Sequence, residues 1–191
     1  MFRLFEFKAR SNRHEELEQR LLQLNSRFAG EDHQTDTYFN VPYGRLKLRE
    51  GNIENALIHY YRPDVLGSKP SNVELYRHEP EKNLKEILAT ALGIKIIVSK
   101  RRRIWFVKNV KIHFDKIEGL GEFLEVEAID EDGSLSIESL EHQCNWFAAF
   151  FEIKKEDYIA YSYSDLLMHK RESLAPGRIQ AIDSPILKTL Q

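Results

Sequence analysis

The middle of the chain alternates polar and apolar residues with the two-residue period of a β-strand. The stretch VSKRRRIWFVKN covers residues 98–109 and is followed directly by VKIHFDKIEGLGEFLEVEA at 110–128. We interpret these stretches as three consecutive strands, with Gly119 to Gly121 forming the hairpin turn between the second and the third. Side chains alternate between the two faces of a strand. The register that we assign therefore places Arg101 and Arg103 on the enclosed face and Arg102 on the outer one.

Charges of both signs occupy these strands, next to large apolar residues. The same alternation groups Lys111, His113 and Asp115 on one face, and likewise groups Glu125 with Glu127. Isolated buried charges are very costly, so charges on an enclosed face must pair, bind metal or line a wet cavity. A closed β-barrel with a polar lumen satisfies this requirement. A half-solvated sheet with a charged outer face is the alternative, and these strands alone leave both open.

The remaining pattern predicts further strands and three amphipathic helices. An N-cap at Asn12 begins a helix whose apolar stripe runs to Phe28, before Gly30 ends it. A second helix is expected at 79–92, with Ile87 on its buried face, and a third at 136–151. The other predicted elements are strands at 4–9, 33–39, 45–49, 56–62 and 73–78, a long connection at 64–72, a short helical turn at 154–157, and an extended step with one last helical turn at 161–168.

Length and composition describe one ordinary globular domain. The 191 residues carry a formal net charge of −2, so we expect neither nucleic acid nor membrane as a partner, and a homodimer stays open. The single cysteine, Cys144, excludes an intrachain disulfide and a cysteine-based zinc site. No apolar run is long enough to span a membrane, and the N-terminal MFRLFEFKAR lacks a signal-peptide core. We therefore expect a cytoplasmic protein.

Alternate positions of several predicted strands carry basic or acidic side chains. Grouped cations beside a smaller set of carboxylates suit a polyphosphate bound by arginine and lysine, together with a hard divalent cation. No P-loop or dinucleotide-binding glycine motif is present, because GRLKLREG at 44–51 lacks the Gly-Lys-Ser/Thr ending. Strand side chains would therefore have to bind the phosphates. The candidates on enclosed faces are Glu6, Lys8, Arg45, Lys47, Arg49, Arg62, Arg101, Arg103, Lys111, Asp115, Glu125 and Glu127.

The order of these motifs resembles that of the CYTH superfamily, the triphosphate tunnel metalloenzymes, and in particular bacterial class IV adenylate cyclase-like proteins. LFEFK at 4–8 lies where the family has its N-terminal Glu-x-Glu-x-Lys signature, and the most specific piece is HFDKIEGLGEFLEVE at 113–127. QTDTYF, GRLKLREG, HYYRPD, the KRRR strand and YSYSDLL follow in the family's order. The resemblance covers about residues 4–167. It implies an α+β tunnel domain at 1–170, built as a closed antiparallel barrel of about eight strands with helices outside. Two prolines and a glycine at 171–191 predict a mobile C-terminal tail.

Carried over residue by residue, the resemblance also implies functional roles. The implied metal ligands for Mg²⁺ or Mn²⁺ are Glu6, Asp115, Glu125 and Glu127. The implied triphosphate ligands are Lys8, Arg45, Lys47, Arg49, Arg62, Arg101, Arg103 and Lys111, and the implied catalytic residues are Lys8, Arg101, Arg103 and Asp115. One departure concerns Leu4, which stands where the family has the first glutamate of its signature. This substitution removes a carboxylate from the implied metal cluster.

Three functions are compatible with the resemblance. The first is a class IV adenylate cyclase-like lyase, which converts ATP to cyclic AMP and pyrophosphate. The second is a triphosphatase for an organic or inorganic triphosphate, similar to thiamine triphosphatase. The third is a non-catalytic binder of nucleotide or polyphosphate, which Leu4 favours. The position of the triphosphate relative to the metal decides between the two enzymes, and the sequence does not determine it.

Aromatic residues and histidines receive no ligand role at this point. We expect His33, His59 and His113 to be exposed or hydrogen-bonded side chains, since no histidine spacing indicates zinc. Tyr161 and Tyr163 are expected to seal one end of the barrel.

Overall fold

A closed antiparallel barrel forms the centre of the computed structural model, which describes residues 2–79 and 82–174. Within these residues, eight strands follow one another around the barrel in the order β1–β5–β4–β3–β2–β6–β7–β8, and β8 pairs back to β1. The strands are β1 (Phe2–Arg10), β2 (Arg27–Phe39), β3 (Arg45–Glu50), β4 (Ala56–Tyr61), β5 (Lys69–Arg77), β6 (Ile94–Val107), β7 (Val110–Ile117) and β8 (Gly121–Asp130). The predicted closed barrel is confirmed, and the half-solvated sheet is excluded.

Helices lie outside the strands, which confirms the α+β class. They are α1 (His14–Leu21), α2 (Lys82–Leu92), α3 (Ile137–Phe150) and α4 (Tyr163–Leu174), with 3-10 turns at Leu22–Leu24 and Lys155–Asp157. None of the described helices is both long enough and apolar enough to cross a membrane. The predicted last helical turn is in fact α4, which extends over residues 171–174 of the predicted tail. Residues 175–191 of that tail lie outside the described residues.

The first helix is shorter than its apolar stripe predicted. α1 begins at His14 without a side-chain cap, so the predicted N-cap at Asn12 is wrong. The following 3-10 turn ends at Asn25, whose φ of 50° is left-handed, a conformation that asparagine tolerates. β2 then starts at Arg27, and Phe28 packs as a strand residue on Trp105 with ring centroids 4.8 Å apart. The apolar spacing of α1 continues by coincidence to Phe28, which belongs to β2. Gly30 was predicted to end the helix but lies at a bulge in β2.

The outer face of β1, β7 and β8 is buried beneath α1 and α3. Outward-facing residues of these strands, such as Phe7 and Val126, belong to one apolar cluster with Leu17 of α1 and Phe147 of α3. Cys144 is buried in the same cluster. Because this face is apolar while the opposite face of the same strands is charged, both faces are enclosed, and the charges point into the lumen.

α4 closes one end of the barrel. Tyr163 is buried there against Phe123 with ring centroids 5.1 Å apart, and its hydroxyl donates to Asp115 at 2.8 Å. Arg45 at the start of β3 binds Asp165 of α4 at 2.9 Å. Tyr163 therefore lies where it was expected, at a sealed end of the barrel.

The apolar face predicted for α2 is only partly covered. Ile87 is 62% exposed, and the helix rests chiefly on β2. The 3.6-residue spacing identified the helix correctly, but the expected burial of Ile87 is wrong. Within the described residues, no second layer covers this side of the barrel.

We expect Phe147→Ala to lower the free energy of unfolding by about 3–5 kcal/mol, because it leaves a cavity between α3 and the barrel. Phe147 is 4% exposed, whereas its neighbour Trp146 is 43% exposed. Trp146→Ala is therefore the matched control and should cost clearly less. Urea unfolding of both variants measures the difference, and equal losses would contradict the packing described for α3.

Candidate functional site

A cavity of about 530 Å³ fills the barrel. It is sealed at the α4 end and opens at the other end, between the β3–β4 connection and the end of β5, where Asn52 and Arg77 are exposed. Most of the charged residues around it point inward from the strands. The charged residues along its wall between the two ends are Glu6, Lys8, Lys47, Arg49, Glu54, Arg62, Lys100, Arg102, Lys111, Glu125 and Glu127.

Asp36 of β2 holds three of these cations together. Its carboxylate accepts from Lys47 at 3.0 Å, from Nε of Arg49 at 2.9 Å and from Lys100 at 2.6 Å. Burial alone would raise the pKa of Asp36, but the charges of Arg49, Lys100 and Lys47 hold it well below its usual range. The three cations are thus kept close together and oriented beside the cavity, although they repel one another.

Arg102 of β6 links two carboxylates from the next two strands, β7 and β8. Its guanidinium donates to both oxygens of Asp115 and to Glu125, each at 2.6 Å. Burial opposes ionisation of Asp115, but Arg102 lowers its pKa to about 2. Lys8 binds the other oxygen of Glu125 at 2.5 Å and stands 3.9 Å above the ring of Tyr163. Asp115 therefore orients Arg102, and Glu125 lies between two cations.

Glu54 reaches the lumen from the β3–β4 connection. The carboxylate of Asp32 accepts from the backbone N–H groups of Asn52, Ile53 and Glu54 at 2.8–3.0 Å, which fixes this turn. Glu54 then accepts from Arg49 at 3.0 Å and from Lys111. Burial alone would raise the pKa of Glu54, but the positive charges of Lys111 and Arg49 lower it. An anion thus holds two cations near the open end.

The N-terminal strand contributes three inward residues, as the alternation predicted. Arg62 binds Glu6 in a buried ion pair, and Lys8 binds Glu125. Leu4 is 6% exposed and also lines the cavity. The position that lacks the signature glutamate therefore lies in the lumen, one step along β1 from Glu6.

Glu127 and His113 differ from the paired groups around them. Within the described residues, no lysine or arginine nitrogen lies within 4.0 Å of the Glu127 carboxylate, and burial and Glu125 raise its pKa to about 7. His113 is fully buried, and neither ring nitrogen has a hydrogen-bond partner. Burial and Arg102 lower the pKa of His113 to about 3, so the ring is neutral. The expectation that His113 is exposed or hydrogen-bonded is wrong.

The register predicted for the KRRR strand is also wrong. Lys100 and Arg102 are 5% and 2% exposed and face the lumen, whereas Arg101 and Arg103 face outward toward α1. Arg103 binds Glu18 of α1 at 2.6 Å. Four consecutive basic residues fit both registers, since each register places two cations on the inner face. The preceding residues carried the deciding pattern, because Ile96 and Val98 are buried and continue the inner face of Lys100.

Two further predicted ligands lie in the barrel but do not line the cavity. Arg45 binds Asp64 and Asp165 and so holds α4, which is a structural position and not the predicted phosphate-binding one. Asp115 has both oxygens bonded to Arg102, and one also accepts from Tyr163. Its predicted role as a metal ligand stays a prediction. The other predicted residues that face the cavity are Glu6, Lys8, Lys47, Arg49, Arg62, Lys111, Glu125 and Glu127.

Sequence reasoning missed several residues of the site. Asp36 and Glu54 come from stretches that show no run of charges, and only the closed barrel brings them to the cations. Lys100 and Arg102 were not identified as lumen residues, because the predicted register of β6 was wrong. His113 was seen on the correct face but was given no function, because a single histidine carries no spacing signal.

An apolar wall completes the cavity near its open end. It consists of inward-facing residues from β1, β4, β5 and β8, strands that follow one another around the barrel. Its members are Leu4, Ala56, Ile58, Val73, Leu75 and Ile129. The cavity therefore offers a charged region for anions and an apolar region for an organic group.

The comparisons with known proteins agree with this arrangement. The CYTH domain family model matches residues 4–160. The chain belongs to the CYTH family. No curated protein matches the sequence of this CYTH protein.

Several solved structures share the fold. The PH1012 protein of Pyrococcus horikoshii is 23% identical, with a TM-score of 0.69 over 86% of this CYTH protein and 98% of the other chain. A candidate adenylate cyclase of Vibrio parahaemolyticus is 19% identical, with a TM-score of 0.71 over 88% and 98%. HpAC1 of Hippeastrum, a candidate adenylyl cyclase described with a dominant triphosphatase activity, is 16% identical, with a TM-score of 0.58 over 92% and 98%.

The corrected register predicts which arginine binds an anion in the lumen. We expect Arg102→Gln to weaken binding of a non-hydrolysable triphosphate by about 1.5–3 kcal/mol, the range for a lost hydrogen bond to a charged group. Arg103→Gln removes ion pairs with Glu18 of α1 and Glu31 of β2 on the outer face and should leave binding unchanged. Calorimetric titration of both variants, with thermal melting to verify folding, measures the difference. Equal losses would mean that β6 has the other register.

Asp36→Asn is expected to destabilise the fold by about 3–5 kcal/mol at pH 7, because it leaves buried cations without their anion. The pKa of Asp36 is lower in the folded protein than in the unfolded chain. Its contribution is therefore fully present above about pH 4 and is lost as the pH falls below that value. Urea unfolding should show a constant gap to the wild type from pH 8 to 5 that narrows in more acid solution. Asp64→Asn, which removes an exposed partner of Arg45, serves as the control.

Proposed function

We propose that this CYTH protein is a divalent-metal-dependent enzyme acting on an organic triphosphate, and that it converts ATP to cyclic AMP and pyrophosphate. The observation that carries the proposal is the composition of the lumen. Grouped cations, a carboxylate without a cation partner at Glu127 and an apolar wall line the same cavity. A triphosphate ester needs all three, because it combines a polyanion, its counter-ion and an organic group.

The cations would bind the phosphate oxygens. Lys47, Arg49 and Lys100 are already oriented by Asp36, so little reorganisation is needed when an anion enters. Arginine and lysine donors oriented toward phosphoryl oxygens stabilise the charge that develops during phosphoryl transfer. The apolar wall would take the nucleoside, which places the triphosphate chain along the charged side of the cavity.

The donor set fits a divalent cation. Glu127 is the lumen carboxylate that no described cation neutralises, and Glu125 lies beside it on β8. These two residues would hold the ion, with Glu6 across the β1–β8 pairing as a further carboxylate. A bound Mg²⁺ or Mn²⁺ would neutralise phosphate oxygens and make the phosphorus more open to attack.

The position of Glu127 favours attack at the α-phosphorus. On β8, Glu127 lies between Ile129 of the apolar wall and Glu125, which pairs with Lys8 deeper in the barrel. The carboxylate is thus placed where the organic group meets its first phosphate. Cyclisation joins the ribose 3′-oxygen to the α-phosphorus and releases pyrophosphate, which the deeper cations would hold.

A triphosphatase is the second candidate, favoured by the open end of the cavity. Polar residues such as Asn52 and Asn55 line this end, so water can reach the phosphates. A hydrolase uses that water as its nucleophile, whereas a cyclase must exclude it. The likeness to HpAC1 is compatible with this candidate.

Product analysis decides between the candidates. The full chain is incubated with ATP and either Mg²⁺ or Mn²⁺, and cyclic AMP, pyrophosphate, ADP and phosphate are separated. Cyclic AMP with pyrophosphate is the expected result. ADP with phosphate would indicate the triphosphatase instead, and tight ATP binding without any product would overturn both enzymes in favour of a binding protein.

Glu127→Gln is expected to lower kcat about 100-fold or more, since losing one group that stabilises transition-state charge costs about 10²–10³ in rate. The amide keeps the size of the side chain, so the melting temperature should change little. Glu74→Gln is the matched control, because Glu74 is exposed on β5, outside the lumen. A Glu127→Gln variant with full activity would refute the assigned metal site.

A further inference from the structure

His113 lies beside the predicted metal ligands in the lumen. It stands on β7 directly opposite Glu125 of β8. Its Nδ1 atom is 3.7 Å from Glu125 Oε2 and 3.8 Å from Glu127 Oε1. These distances are too long for hydrogen bonds. A fully buried imidazole without any hydrogen-bond partner is unusual, since buried polar groups are almost always satisfied.

Glu127 on the neighbouring strand β8 also lacks a partner, because no lysine or arginine of the described residues binds its carboxylate. Other lumen carboxylates accept from cations, as Glu6 does from Arg62 and Glu125 from Lys8. For Glu127, His113 is the only basic side chain of the described residues with a nitrogen within 4.0 Å of the carboxylate. Donor atoms of His113, Glu125 and Glu127 all lie within 4.8 Å of one another. A small side-chain movement would bring them around one ion.

We propose that His113 is a metal ligand, which completes the site of Glu125 and Glu127 on the side opposite the missing carboxylate at Leu4. This inference rests on the metal dependence proposed above and specifies the ion. Glu127 has β1 with Leu4 and Glu6 on one flank and β7 with His113 on the other. The flank that carries Leu4 has lost a donor, and the other flank provides an imidazole nitrogen.

An imidazole ligand changes the preference of the site. Mg²⁺ strongly prefers oxygen ligands, whereas imidazole suits the first-row transition metals. A site with one imidazole and two carboxylates therefore selects Mn²⁺ or Co²⁺ over Mg²⁺.

Pulsed electron paramagnetic resonance of Mn²⁺ bound to the full chain, without nucleotide, tests the inference. Wild-type protein should show the ¹⁴N coupling of a coordinated imidazole, and growth on ¹⁵N-histidine should convert it to a ¹⁵N coupling. His113→Gln should abolish this coupling and lower Mn²⁺ affinity roughly tenfold or more, on the scale seen when groups that support a metal are lost. Mg²⁺ affinity should fall much less.

His78→Gln is the matched control, because His78 lies at the open end of the cavity. It should keep the coupling. Absence of the coupling in the wild type, or its persistence in His113→Gln, overturns the inference. The ¹⁵N label marks all seven histidines of the chain, so His113→Asn takes the place of His113→Gln if that variant fails to fold.

Separate readouts distinguish this inference from the proposed function. If no nitrogen coupling is found but metal-dependent turnover is lost in Glu127→Gln, then the inference fails and the function stands. If Mn²⁺ carries the coupling but no triphosphate is converted, then the function fails and His113 is still a ligand. Leu4→Glu adds a carboxylate on the other flank and should raise Mg²⁺ affinity relative to Mn²⁺ while keeping the coupling.

Discussion

Compensation of charge inside a closed barrel is the constraint on which this structure depends. Cations such as Arg49, Lys100 and Arg102 are almost completely removed from water, which would be prohibitive without anions in contact. Asp36 and Asp115 supply those anions, each held in its ionised form by the cations it binds. The barrel can close only because these groups reach one another across neighbouring strands. The same contacts keep the cations in place for a ligand that carries more negative charge than the carboxylates do.

Helices cover the strands both on the outside of the barrel and at one of its ends. On the outside, the apolar faces of β1, β7 and β8 are covered by α1 and α3, and this layer supplies the hydrophobic stabilisation. At one end, α4 is fixed by Arg45 through Asp165 and by Tyr163 through Asp115. A barrel sealed at this end admits a ligand from the other, where the apolar wall lies. The helix α4 therefore determines the orientation in which an organic triphosphate would enter.

One part of the lumen contains groups whose charge or hydrogen-bonding capacity is not compensated. Glu127 has no cation partner among the described residues, and His113 has no hydrogen bond although it is fully buried. Natural structures rarely leave two such groups adjacent without a ligand to satisfy them. Glu127 lies on β8, between β1, which carries Leu4, and β7, which carries His113. The position that departs from the family signature is therefore close to a group that can donate to a metal. The metal site that we propose therefore takes a donor from β7, on the side of Glu127 away from Leu4.

Local patterns in the sequence determined the strands and most of the inward faces, because the period of two is a property of the extended backbone. Glu6, Lys8, Lys47, Arg49, Lys111, Glu125 and Glu127 were placed correctly for this reason. Where the local pattern was ambiguous, only the tertiary structure decided. Four consecutive basic residues allow two registers, and closure of the barrel selected the one in which Arg102 meets Asp115 and Glu125. Asp36, Glu54 and His113 acquire their roles from groups far away in the chain, and no local periodicity encodes such contacts.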